Sequence, residues 1–201
     1  IWALATRRDS ASNTPSETSR DEIVNATRWA TSNPSAVRVT SATGSSLVLL
    51  GTAMMDPLYH GKTVIVYEGE NSAEKWLSLI KEFGCNIFIG VPTIFRQILQ
   101  KTSAKGSDLP TLRHCMCAGE HLTDEVLDGW VGRFGFPIYE GLGMSECSYY
   151  ISQKKGDAIV KNSAGKIQPG HLVQLLDENL QPVAAGEEGM ICINRKDAGL
   201  F

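Results

Sequence analysis

The residues best suited to chemistry lie in three short stretches: Gly90-Val91-Pro92-Thr93, Ala118-Gly119-Glu120-His121-Leu122, and Glu140-Gly141-Leu142-Gly143-Met144-Ser145-Glu146. In the last of these, Gly141 and Gly143 permit positive φ and let backbone approach a ligand closely. Ser145 offers a hydroxyl to a phosphate or to a metal-bound water. Glu146 offers the kind of carboxylate that Mg²⁺ takes while keeping several of its waters. A backbone turn, a hydroxyl and an acid this close together suit a nucleotide-phosphate site. From spacing alone, a plain loop with a solvated glutamate competes with that reading. The glycines match neither G-x-G-x-x-G nor G-x-x-x-x-G-K-[ST]. Gly119 gives a second place for close backbone approach, and Glu120 is either a solvated charge or a polar contact to a ligand. His121 reads as a turn residue and not as a base, with nothing clearly placed to tune it. There is no G-x-S-x-G elbow and no His-Glu-x-x-His pair. Cys115 and Cys117 alternate as two small side chains on one face of a buried strand. With His114 and His121 nearby they still match no common zinc spacing.

The elements that must position these residues follow from the hydrophobic pattern. The stretch from Gly44 to Gly61 reads as a buried helix with Pro57 near its end or inside a kinked last turn. Lys62 to Gly69 is a β-branched run, a buried strand. A helix follows, capped by Asn71 or Ser72, with Trp76, Leu79, Ile80 and Phe83 at helical spacing and Gly84 as its stop. The run from Cys85 to Pro92 is the next strand, and the helix after it has Thr93 as its expected N-cap. Leu112 to Glu120 is a strand, Thr123 or Asp124 opens a helix that stops at Gly135, and Pro137 to Gly143 is a further strand. Strand and helix alternating in this way predict parallel strands joined by crossovers, with ligands beyond their carboxyl ends. The three chemical stretches all lie at such ends. From Lys155 onward short strands are separated by turn residues, and His171–Asp177 is expected to pair with Gly189–Arg195.

The predicted fold class is therefore α/β: a mostly parallel sheet flanked by helices, followed by the start of a small antiparallel β subdomain. The predicted organisation is a polar segment, partly disordered or discontinuous, over 1–43, a nucleotide-binding unit over 44–153, and a β unit over 154–201. The chain's 201 residues, 42% of them hydrophobic, suffice for a real core. A net charge of -3 argues against a nucleic-acid partner. No apolar run is long enough to cross a bilayer. Five scattered cysteines do not form a disulfide framework, and a reduced, cytoplasmic location is expected.

Four stretches, in order, carry a resemblance to the AMP-forming acyl-CoA synthetases, the adenylate-forming family. GVPTIFRQIL resembles the family's G-V-P-T strand and helix, and LRHCMCAGEHL its G-G-E-P-L turn. IYEGLGMSE is similar to its Y-G-x-T-E signature. The segment from Ala164 to Ile193 is similar to its G-K-x-x-P-G … G-E-x-G-E-I run. The resemblance covers roughly 44–201, and DPLYHGKTVIVYEG and RKDAGLF look like the acetyl-CoA synthetase-like branch. It implies a ligase that activates a carboxylic acid with ATP as acyl-AMP and passes it to CoA, with Mg²⁺ as cofactor. It implies that Gly119, Glu120, Glu140, Gly141, Leu142, Gly143 and Met144 bind the nucleotide. Ser145 would meet the phosphate, Glu146 would coordinate Mg²⁺, and Val91, Pro92 and Thr93 would line the acyl pocket. Leu142 stands where the family usually has tyrosine, and Ser145 where it has threonine. No glycine-rich phosphate loop ending in Lys-Gly is found before Gly44, and the family's Y-x-T-G-D motif and C-terminal lid are not reached. The chain by itself is thus expected to have little turnover. The alternatives are an adenylation domain that loads a carrier protein and a non-catalytic binding remnant.

Overall fold

A computed structural model describes residues 2–5, 51–65, 67, 69–144 and 147–194. Seven strands form one sheet in the order β2-β1-β3-β4-β5-β6-β7. They are β1 (Trp2–Ala5), β2 (Thr63–Ile65), β3 (Ile87–Gly90), β4 (His114–Cys117), β5 (Ile138–Met144), β6 (Ser148–Ser152) and β7 (Lys166–Ile167). A separate two-stranded ribbon joins β8 (Val173–Leu176) to β9 (Met190–Ile193). The expected pairing of the last segments is therefore present, with Val173 opposite Ile193 and Leu176 opposite Met190.

The sheet is mixed where a mostly parallel one was expected. Parallel ladders join β3 to β4 and β4 to β5, and the other ladders are antiparallel. Strand β1 enters between β2 and β3, antiparallel to both. A strand whose partners lie some sixty and eighty residues away leaves no local trace in the sequence.

Three helices cover one face. They are α2 (Ala73–Glu82), α3 (Pro92–Lys101) and α4 (Asp124–Phe134). Before them, a π-helical stretch Gly51–Met55 runs into the short α1 (Asp56–Tyr59). Pro57 sits inside that last turn, buried. Proline supplies no N–H to a helical ladder, and wider π winding just before it is a common accommodation. The expected helix before residue 51 lies outside the described residues.

Ser72 is the N-cap of α2, its hydroxyl oxygen accepting from the Lys75 N–H at 3.3 Å. Asn71 contributes differently, accepting from the Trp76 indole N–H at 2.7 Å. The cap of α3 is Val91 instead of Thr93, because Pro92 takes the first helical position, where its missing N–H costs nothing. Gly135, at φ 82°, ends α4.

The core lies between the three helices and the sheet. Aromatic rings run through it in sequence: Tyr67 on Trp76, Trp76 beside Phe88, Phe88 on Phe95, Phe95 on Trp130 and Trp130 stacked on Phe134. Cys115 and Cys117 are fully buried on this face of β4, as their alternation predicts.

Candidate functional site

The register of the parallel strands sets the site. Gly90 of β3 lies opposite Cys117 of β4, and Cys117 lies opposite Glu140 of β5. The first two chemical stretches therefore leave the sheet at the level of Glu140, and the third begins at that level within β5. This is the arrangement in which parallel strands place ligands beyond their carboxyl ends.

Between the outer two runs the turn after β4. Gly119 has φ 88°, a left-handed conformation that favours glycine. Glu120 and His121 are exposed, while Leu122 is buried in the core. The turn is held from both sides. On the β3 side, the Thr93 hydroxyl donates to Glu120 Oε2 at 2.6 Å. Losing the cap role leaves Thr93 in the first turn of α3, and from there it reaches the neighbouring strand's turn. On the β5 side, Glu140 Oε1 accepts from the Leu122 N–H at 3.1 Å and lies 3.3 Å from His121 Nδ1. His121 is thus the exposed turn residue expected, but a carboxylate stands beside it.

Glu140 is the one charged residue in the core among the described residues, 7% exposed. Its backbone is gripped as well. The Glu140 N–H donates to Gln153 Oε1 at 2.9 Å, and the Gln153 N–H donates to the Glu140 carbonyl at 2.9 Å. Gln153 Nε2 in turn donates to the Ser163 carbonyl at 2.8 Å. Burial, aided by the Glu140 and Glu120 carboxylates, pushes the Cys117 thiol far above its usual range. That thiol is an apolar filler beneath the turn and not a nucleophile.

The expected strand from Pro137 to Gly143 is present as β5, and it carries both glycines of the stretch. Strand β5 continues through Met144 and pairs antiparallel with β6, shifting register between Leu142 and Gly143. Gly141 is extended, without positive φ. Its bare Cα is required by space: a Cβ there would lie 2.5 Å from Cε1 of the Tyr149 ring. Leu142 and Gly143 are half-buried, and Met144 is exposed. Ser145 and Glu146, the residues assigned to phosphate and Mg²⁺, lie outside the described residues. Val91 is half-buried, with Cγ1 3.8 Å from where a Gly119 Cβ would stand, and Pro92 is buried in the core.

The structure therefore brings Val91, Thr93, Gly119, Glu120, Glu140 and Gly141 to one level of three adjacent strands, past the carboxyl ends of β3 and β4. Gln153, Ser163 and Tyr149 join them without having been foreseen. For Glu140 a signal did exist: an acid inside an otherwise apolar strand is rarely buried without partners. Gln153 and Ser163 carry no local motif. Among the described residues no three His, Cys, Asp or Glu side chains converge to hold a metal. No helix among them is long and apolar enough to cross a membrane.

The AMP-binding enzyme family model matches residues 22–199. The uncharacterized acyl-CoA ligase YtcI of Bacillus subtilis is 33% identical over 141 residues, covering 70% of this chain and 27% of that relative. A 3-hydroxybenzoate–CoA/4-hydroxybenzoate–CoA ligase of Thauera aromatica is 33% identical over 129 residues, 64% of this chain and 25% of its own length. Among solved structures, the anthranilate CoA ligase AuaEII in complex with anthranoyl-AMP superposes with a TM-score of 0.70 at 29% identity. The match covers 76% of this chain and 30% of that one. The chain spans about a quarter of the length of the curated relatives it matches.

Proposed function

The chain belongs to the AMP-binding enzyme family, and from that membership we propose that it carries the adenylate-binding sheet of an AMP-forming acid–thiol ligase. In the proposed reaction a carboxylate oxygen attacks the α-phosphorus of ATP, giving acyl-AMP and pyrophosphate. The CoA thiol, deprotonated, then attacks the acyl carbonyl, and AMP leaves. The single observation that supports this reading best is the common level of Gly90, Cys117 and Glu140 on β3, β4 and β5, with the turn at Gly119 pinned between its neighbours. Preorganised polar groups around a crevice are what such chemistry needs, since it depends on positioning and charge stabilisation.

In this reading Gly119 and Glu120 border the adenine and ribose, and Gly141 to Met144 flank the adenine and the acyl carbonyl. Val91 and Thr93 face the acyl group, with Pro92 buried behind them as support. Ser145 and Glu146 are proposed for phosphate and Mg²⁺; the metal would supply charge neutralisation on the phosphates. The five cysteines form no disulfide, which suits the reducing cytoplasm proposed as its location.

Calorimetric titration of the chain with an acyl-AMP analogue, with and without MgCl₂, tests this reading. Saturable one-to-one binding, tighter with ATP when Mg²⁺ is present, is the expected result. No heat with either ligand would sink it. Pyrophosphate release by this chain alone is expected to be low.

A further inference from the structure

Glu140 has the address of a ligand-binding residue but not the geometry of one. It stands on β5 beside the carboxyl end of β4, within the stretch assigned to the nucleotide, yet its Oε1 is turned back onto the Leu122 N–H and His121. Leu122 is 4% exposed, so its amide would have no water to turn to if that oxygen were removed. A buried donor left without a partner is costly, and an ionised acceptor makes the stronger kind of bond.

The rest of the network points the same way. Gln153 holds the Glu140 peptide from both sides and reaches on to Ser163. Thr93 holds Glu120 from the first turn of α3. The four-residue turn is thus anchored from two elements, Glu120 from α3 and His121 with Leu122 from β5. Gly119 lets that turn bend, but nothing in its own backbone sets where the bend points.

We propose that Glu140 is a positioning residue. Its carboxylate, carried on a backbone that Gln153 braces, sets the turn Gly119–Leu122 relative to β5, and Thr93 sets it relative to α3. Nucleotide affinity depends on Glu140 through the turn and not by contact. This rests on the nucleotide-binding reading above and assigns a different role to one of its residues.

The test separates the two ideas by measuring both a backbone amide and a ligand. Amide hydrogen exchange at Leu122 is followed in the chain and in Glu140→Ala, Glu140→Gln and Thr93→Val, together with AMP binding by calorimetry. Glu140→Ala is expected to speed Leu122 exchange about tenfold or more and to weaken AMP binding in parallel. Glu140→Gln keeps a carbonyl oxygen for the Leu122 N–H, so it should retain most of the protection and most of the affinity. Thr93→Val keeps side-chain shape, frees Glu120 alone, and should weaken AMP while leaving Leu122 protected. If Glu140→Ala does not fold, the Gln and Val variants still decide the matter. The proposal is overturned if Leu122 exchange does not change in Glu140→Ala. It is equally overturned if Glu140→Gln loses as much affinity as Glu140→Ala with Leu122 still protected, because the charge would then be acting on the ligand. A chain that binds no AMP refutes the nucleotide reading instead, while Leu122 exchange continues to report on the latch.

Discussion

The sheet with its three helices and the β8–β9 ribbon are held together by different forces. In the first, Trp76, Trp130, Phe88 and Phe95 are at most 2% exposed and touch ring to ring. In the second, Leu175, Met190 and Ile191 are exposed, and order comes from the β ladder and the turn that closes it. Asp177 Oδ1 in that turn accepts from the Asn179 and Gln181 N–H groups, at 2.9 and 2.8 Å. The candidate site rests on the packed part, where side chains are fixed by neighbours on all sides. Positioning to within a hydrogen bond is therefore available there and not in the ribbon.

The sharpest way to break this contrast is to open the aromatic core. Trp130 stacks on Phe134 with centroids 4.0 Å apart and meets Phe95 edge-on at 4.9 Å. Trp130→Ala should cost about 3–5 kcal/mol, read from urea denaturation, with the whole sheet losing protection together. A loss under about 1 kcal/mol would mean that the rings are not what unifies this part.

Gly141 tests the seam beside the site. Its substitution by Ala brings a methyl against the Tyr149 ring, with the nearest ring atom 2.5 Å away. The ring has to move, at about 1–3 kcal/mol by thermal unfolding. Gly119→Ala meets nothing closer than 3.8 Å, so any cost there comes from φ 88° and not from crowding. Trimming Tyr149 to Ala should relieve the first variant and leave the second unchanged.

In the ribbon, Asp177→Ala removes two backbone acceptor contacts at an exposed turn. The expected loss is about 0.5–1.5 kcal/mol, seen as faster amide exchange confined to β8 and β9. Spread of that effect into β3–β5 would erase the distinction between the two regions.

The same contrast governs what the sequence reveals. Helices α2 and α4 are legible because caps and stops agree with the apolar pattern. The ribbon was legible because turn residues separate two short strands. Neither signal reaches across the chain, so β1, the Gln153–Ser163 tie and the inward turn of Glu140 went unseen. Thr93 shows how a local rule misleads: a threonine after proline reads as a cap, but proline at the first helical position moves the cap back to Val91. Gly141 shows the opposite. The need for glycine was plain, but its cause was a tyrosine on the next strand. Such causes are tertiary, and a glycine looks the same in sequence whether φ or space demands it.

Cysteines give the smallest perturbation and still divide the two regions. Cys85, Cys115, Cys117 and Cys147 are buried, while Cys192 of β9 is half-exposed. A maleimide should modify Cys192 in the native protein and reach the others only on unfolding. Burial pushes the Cys85 thiol from 9.0 up to about 12, against a backbone hydrogen bond that lowers it. Below pH 9 both native and unfolded forms keep that proton, and its contribution to stability is complete. As pH rises past 9 the unfolded thiol ionises and the native one does not, so stability falls until the native group also titrates near 12. Cys85→Ala should flatten that alkaline slope. An unchanged slope in this variant, or equal maleimide labelling of Cys85 and Cys192 in the native protein, would mean that the core shields its thiols no better than the ribbon does, and the distinction between packing-held and ladder-held order would fail.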